Sequence, residues 1–251
     1  MKLVTPREPF LQRLQFAASV CPTRSPRPIL SDVLVRIDGD RVHLTASDGD
    51  AVSVRLAYSA DGVEGEGSAA LPATTLLSAV RSMTADTITI APKDQAHELT
   101  GGKAQFKLNG DDPELYPNFP EIEGEVVEVP FGAFAGLCAR TMFAAAREMG
   151  RYAFNGVLLE LDPQEITLVA TDGRRLSMAR IDHATGISER KSVVVPLKAL
   201  NQLQRAGADA DDVLKIGVRD TLVSLELPDV QVVAQIVEGE FPDFRAVLPN
   251  E

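Results

Sequence analysis

The chain repeats itself, and that fact constrains its fold more than any other. Val33-Leu34-Val35-Arg36-Ile37-Asp38 has the pattern of Val157-Leu158-Leu159-Glu160-Leu161-Asp162, and Val42 to Gly49 matches Ile166 to Gly173. Both matches lie at one spacing, since 157 less 33 and 172 less 48 each give 124. The same spacing carries Pro6 and Phe10 to Pro130 and Phe134, Leu71-Pro72 to Val195-Pro196, and Arg81 to Arg205. Near the end of each copy, Tyr116-Pro117-Asn118-Phe119 pairs with Phe241-Pro242-Asp243-Phe244 after a drift of one residue, as a single loop insertion gives. Chance matches would scatter over many offsets; one shared offset predicts a duplicated domain. The copies are expected at 1–122 and 129–251, joined by a Glu- and Val-rich linker near 121–129.

Each copy reads in the same order. A helix comes first (near 7–21 and 131–147), then two alternating strands (32–38 and 41–47; 156–162 and 165–171) closed by an Asp-Gly turn. A third strand follows (50–57; 174–181), then a helix opened by proline (72–83; 196–206), where a fixed φ and a missing donor suit the first turn. Three more strands end the unit (86–91, 95–100, 103–109; 212–217, 221–226, 230–237). The expected class is α+β, with two helices on antiparallel sheet in each domain. Cys21 and Cys138 fall in apolar helical patterns and read as reduced core thiols. No apolar run is long enough to cross a bilayer, and the N-terminus lacks a signal-peptide core, so a cytoplasmic protein without membrane contact is expected.

Net charge is −11, which taken as an average argues against nucleic acid. The distribution argues otherwise. The four expected helices hold Arg7, Arg13, Arg81, Arg140, Arg147, Lys198 and Arg205 against the single acid Glu8. Seven cations against one acid make +6, which leaves −17 for the remainder of a chain at −11. In 197–206 the residues Leu197, Leu200 and Leu203 form an apolar stripe, with Lys198, Asn201, Gln202 and Arg205 on the opposite face. In 72–83, Leu76, Leu77 and Val80 face inward while Thr74, Ser78 and Arg81 face out. Ordinary solvated helices would explain the cations but not the missing Asp and Glu. Such faces suit a polyanion held through its phosphates and hence without sequence preference. No Trp, few aromatics and no zinc spacing are present for base readout.

Several motifs taken together resemble the bacterial DNA sliding-clamp family, the beta subunit of DNA polymerase III, over essentially the whole chain. They are Arg24 ahead of Pro28-Ile29-Leu30, Arg151-Tyr152-Ala153-Phe154-Asn155-Gly156, Ala170-Thr171-Asp172-Gly173-Arg174-Arg175-Leu176, and Gly239 to Pro249. The resemblance implies a processivity factor with no chemistry of its own and no cofactor. Its subunits form a homo-oligomeric head-to-tail ring whose helices line a concave, DNA-facing surface. It also implies the partners: double-stranded DNA, the DNA polymerase III catalytic subunit, the clamp loader and other proteins carrying a clamp-binding peptide. Carried over by position, the DNA contacts are Arg24, Arg81, Arg147, Tyr152, Lys198 and Arg205. The second-domain half of the peptide pocket is Phe154, Thr171, Gly173, Arg174, Arg175, Leu176, Pro242 and Val247, and the ring edge is strand 103–109 with Lys103, Phe106 and Leu108. Ala153, Thr74-Thr75 and Ala246 depart from the family pattern, and the sequence stops where its third domain would begin.

Two other readings compete. Catalysis is disfavoured because His43, His97 and His183 lie in different elements, Gly102-Lys103 lacks the upstream glycine of a phosphate loop, and the Asp-Gly pair recurs in both copies as a turn. A protein-binding scaffold of clamp fold that does not itself encircle DNA fits the acidic total but not the acid-poor helices.

Overall fold

The computed structural model describes residues 1–60, 62–122, 124–146 and 153–248, with the side chain of Ala153 excepted. The chain divides into two compact units, Met1–Pro120 with Asp229–Gln231, and Glu121–Pro228 with Val232–Glu251.

In the first unit, β1 (Lys2–Pro6) leads into α1 (Arg7–Ala18), then β2 (Asp32–Asp38), β3 (Arg41–Ser47), β4 (Val52–Ser59), β5 (Gly62–Glu64), β6 (Gly67–Pro72), α2 (Ala73–Ser82), β7 (Thr87–Lys93), β8 (Ala96–Gly101) and β9 (Ala104–Leu108). One antiparallel sheet runs β5-β1-β7-β8-β9, and a second run is β4-β3-β2-β6. The second unit repeats the plan as β10 (Val126–Pro130), α3 (Phe131–Thr141), β11 (Gly156–Asp162), β12 (Glu165–Thr171), β13 (Leu176–Asp182), β14 (Lys191–Pro196), α4 (Leu197–Gln204), β15 (Val213–Arg219), β16 (Leu222–Leu227) and β17 (Val230–Gln235). Its strands run β10-β15-β16-β17 and β13-β12-β11-β14, the order of the first copy without β5.

The helices all start in the same way. Pro6, Pro72, Pro130 and Pro196 each end a strand and occupy the N-cap, with φ between −55° and −59°. A proline there has no N–H to lose and a φ already suited to the helix. None of these caps uses a side chain. Instead the first free donors of α1 and α3 find backbone carbonyls: Arg7 N donates to Asp86 O and Phe131 N to Asp212 O, each at 2.8 Å. The helix start is thereby tied to the residue just before β7 or β15.

Phe10 and Leu14 of α1, Leu76 and Val80 of α2, and Val33, Val35 and Leu44 of the sheet form the first core. Phe134, Leu137, Leu200, Leu203, Leu159 and Leu168 form the second. Strand β11 is buried along nearly its whole length because both of its faces are covered, which accounts for the unbroken apolar run in its sequence. Gly156 opens it where a Cβ would stand 2.8 Å from the carbonyl oxygen of Val195.

Several expectations need correction. The stretch read as linker is partly strand: Val126–Pro130 pairs with β15 in register Val127↔Ile216 and Val129↔Leu214. The stretch alternates, with Val127 and Val129 buried between exposed neighbours. Strands β1, β6 and β14 lie against the prolines and were masked by the helix signal that follows. Helix α1 stops at Ala18, where the Ser19 hydroxyl donates to Phe16 O at 2.7 Å, so Cys21 lies beyond it. Gln202 is not on the open face of α4, being 4% exposed. Cys138 is buried and its thiol is pushed up to about 12, chiefly by desolvation, which makes it inert at neutral pH.

One buried acid stands out. Asp32, 5% exposed, leaves Oδ2 without a described partner, while its carbonyl accepts from Tyr116 Oη at 3.2 Å. Burial first, and then the charge of Asp111, raise its pKa from 3.8 to about 6. The fold therefore prefers the neutral acid. Stability from this group is full below pH 4 and falls as pH rises through 6. A shift of this size corresponds to on the order of 3 kcal/mol. Asp32→Asn should raise unfolding stability by about that amount at pH 7.5 and by little at pH 4, as urea denaturation at the two pH values would measure.

Candidate functional site

Among the cations expected to meet DNA, Arg24, Arg81, Lys198 and Arg205 are exposed. Arg81 lies in the last turn of α2, beyond buried Leu76, Ala79 and Val80. Lys198 is the second residue of α4, and Arg205 is the C-cap that follows it. Neither α2 nor α4 contains an acidic residue, and Arg24, Arg81 and Arg205 make no ion pair with another described residue. In α1, by contrast, Arg7 is paired with Glu8, and Arg13 donates to Pro9 O and stacks 4.7 Å from the Tyr58 ring centroid. Arg147 and Tyr152 lie outside the described residues.

The expected peptide pocket is built around the turn between β12 and β13. Thr171 Oγ1 accepts from Gly173 N at 3.0 Å and donates to Arg175 O at 2.7 Å. Asp172 Oδ1 accepts from the amides of Arg174 and Arg175 at 3.0 and 3.1 Å. These bonds, with Arg175 nearby, hold the Asp172 carboxyl below its usual range. Gly173 takes φ +84°, where a side chain would be strained. The turn fixes Arg175 as well: its Nε donates to Asp172 Oδ2 at 3.0 Å, its Nη2 to Phe143 O at 2.8 Å, and its guanidinium lies 5.8 Å from the Phe143 ring centroid. Arg174 is left pointing to solvent and Phe143 is 57% exposed.

Next to this turn lies an apolar cluster of Leu158, Val169, Val194 and Phe244, against which Leu176, Met178, Val237, Phe241 and Leu248 pack. Leu176 therefore shares a cluster with Phe241, Phe244 and Leu248 of the C-terminal segment, which also carries Pro242 and Val247, both exposed, Val247 to 70%. Phe154 is half-buried in a short turn and its carbonyl accepts from Ala146 N, but it is not part of that cluster. A cavity of ≈ 370 Å³ opens beside the same segment over β11 and β14, and of the expected pocket residues only Pro242 lines it. Phe143, Phe244, Glu160 and Arg245 were not singled out from sequence. Phe244 could have been, because the repeat places it on Phe119.

At the expected ring edge, β9 is an outer strand of its sheet. Lys103 is exposed and Phe106 half-buried, but Leu108 is 1% exposed. Leu108 belongs to the core of its own unit, so a role for its side chain in joining subunits is withdrawn: strand alternation fixes a shared face and not what covers it.

Residues 1–120 match the model of the N-terminal domain of the DNA polymerase III beta subunit, and residues 128–243 that of its central domain. The beta sliding clamp of Pseudomonas aeruginosa is 30% identical over 252 residues, covering 100% of this chain and 68% of that protein. The chain belongs to the DNA polymerase III beta subunit family. A crystal structure of the Pseudomonas aeruginosa sliding clamp bound to griselimycin has a TM-score of 0.94 at 29% identity, and that of the Bacillus subtilis clamp 0.93 at 25%. Each covers 100% of this chain and 68% of the other. The family is one of non-catalytic processivity factors in DNA replication, and the α+β domains are of its fold. Among the described residues no helix is long and apolar enough to cross a membrane.

Thr171 is 6% exposed and its hydroxyl serves two backbone groups at once. Replacing it with valine should cost about 1–3 kcal/mol, the usual penalty for orphaned buried polar groups, whereas serine should keep most of the stability. Chemical denaturation of the two variants measures the difference, and amide shifts at Gly173 and Arg175 should move only in the valine variant.

Proposed function

We propose that this chain serves as a sliding clamp in replication by holding duplex DNA loosely on the cationic ends of its helices. The observation that carries this reading is the exposure of Arg81, Lys198 and Arg205 on or beside helices without acidic residues, in a chain with net charge −11. Phosphates would be attracted there and repelled elsewhere, and contacts of this kind permit sliding because they carry no sequence information. Arg24 adds to the same set. In the assembled ring these helices face the hole, and the β9 edge with Lys103 and Phe106 meets the next subunit.

The same reading gives the groove its work. Leu176, Pro242 and Val247 supply apolar contact, Thr171 and Gly173 shape the turn, and Arg174 and Arg175 offer charge at the rim. An apolar cleft with a few placed polar groups suits a short anchored peptide. The partners are the DNA polymerase III catalytic subunit, the clamp loader and other proteins with such a peptide, acting in the cytoplasm.

Duplex binding measured by fluorescence anisotropy across a salt series tests the first part. Lys198→Glu with Arg205→Glu should weaken binding at low salt far more than at high salt. The slope of log affinity against log salt should fall by about 2, near one for each phosphate that is no longer neutralised. An unchanged slope would favour a scaffold that does not touch DNA.

A further inference from the structure

Glu160 lies in β11 on the same face as Leu158, the face covered by Phe244, and its side chain is only 4% exposed. Two arginines converge on it. Arg245 makes a bidentate pair, Nη1 to Oε1 at 3.2 Å and Nη2 to Oε2 at 2.6 Å, and Arg190 shares Oε1. Arg190 also lies 3.6 Å from Asp162. A fork of this kind fixes geometry as well as charge.

Arg245 belongs to the short turn Phe244–Val247, capped by Asp243, whose Oδ1 accepts from Arg245 N at 3.2 Å. Its guanidinium also covers the Phe244 ring at 4.4 Å. After β17 ends at Gln235 the chain forms no further strand up to Leu248, and Val237 N to Val194 O at 2.9 Å ties its start to β14. The position of Val247 thus depends on Phe244 below it and on the Arg245–Glu160 pair.

The other copy makes the contrast. By the repeat, Glu160 corresponds to Arg36, Arg190 to Glu66, and Arg245 to Pro120 after Phe119. The scaffold folds there without this pin, so the pin is not a requirement of the domain. It is found in the copy that carries the groove.

We propose that Glu160, acting through Arg245, is a positioning residue for partner binding: the pair latches the segment from Phe241 to Leu248 so that Pro242 and Val247 stand ready beside Leu176. The proposal rests on the peptide-groove reading above. Glu160 touches no peptide in this scheme. A released segment would present its wall only part of the time, and apparent affinity falls by the fraction of molecules that are competent.

The test uses the full chain and a synthetic peptide of the carboxyl-terminal residues of the polymerase III catalytic subunit. Arg245→Met keeps length and apolar stem, and Arg190 still pairs with Glu160, so the fold should survive. Hydrogen exchange should speed up at 241–248 alone, and peptide affinity should fall about tenfold, as expected if roughly a tenth of molecules remain latched. Arg245→Lys keeps the charge but not the fork and should fall between wild type and the methionine variant. Leu176→Ala removes an apolar contact of the groove itself and should weaken binding whatever it does to exchange at 241–248. If Leu176→Ala weakens binding but Arg245→Met does not, the latch is wrong and the groove stands. If Leu176→Ala has no effect, or the wild-type chain shows no saturable binding at millimolar peptide, the groove reading itself fails. Unchanged exchange in Arg245→Met would also sink the latch.

Discussion

Each unit depends on where its helices start. A proline at the end of a strand stops the hydrogen-bonded ladder and sets the chain on a helical φ in one residue. Pro6, Pro72, Pro130 and Pro196 do this at equivalent places, so the direction of each helix is fixed by the strand before it. Because the α1 and α3 starts also bond to Asp86 O and Asp212 O, strand, helix and the following sheet are locked at one point in each copy. The inward helix faces then carry Phe10, Leu14, Leu76 and Val80, or Phe134, Leu137, Leu200 and Leu203. What remains outward is the short polar and cationic face, and its charge is what the proposed function uses.

The copies diverge where the helices are not involved. In the first, Phe119 lies under the guanidinium of Arg55 at 4.1 Å. In the second, Phe244 lies within an apolar cluster and beside an arginine that reaches a buried carboxylate. An ion pair between a buried carboxylate and a half-exposed arginine is a poor way to gain stability, since desolvation of the acid offsets much of the attraction. It is a good way to hold one arrangement against others, because the geometry of two forks tolerates little displacement. The second copy uses this device on a segment that has no sheet of its own.

Much of this was legible in the sequence. The offset of 124 gave the number of domains and their common order, and the acid-poor helices gave the cationic face, because both are patterns summed over many residues. Strands adjoining prolines were lost: a five-residue strand such as Val126–Pro130 gives only two alternations before the helix signal begins. Leu108 and Gln202 show a different limit. Periodicity places a side chain on a face, but only the packed neighbours decide whether that face is open. The Glu160–Arg245 pair was out of reach for a third reason, since its partners lie 85 residues apart and neither has a repeat counterpart of the same charge. The family motifs point to Pro242 and Val247 as pocket residues but say nothing of what holds them.

The outer strand β9 is paired within its sheet only to β8. Gln105 and Lys107 stand exposed along it, while Ala104, Phe106 and Leu108 turn partly or wholly toward the protein. An open strand invites any other strand in solution to join it, and a flat apolar edge is the commonest seed of aggregates. Lysine along the rim makes every accidental pairing carry an unpaired charge into the new sheet. At the far side of the same sheet, β5 is only three residues long, and Lys2 and Glu64 bridge it at 2.7 Å. The shortness of one border and the charge on the other act as gatekeepers against such accidental joining.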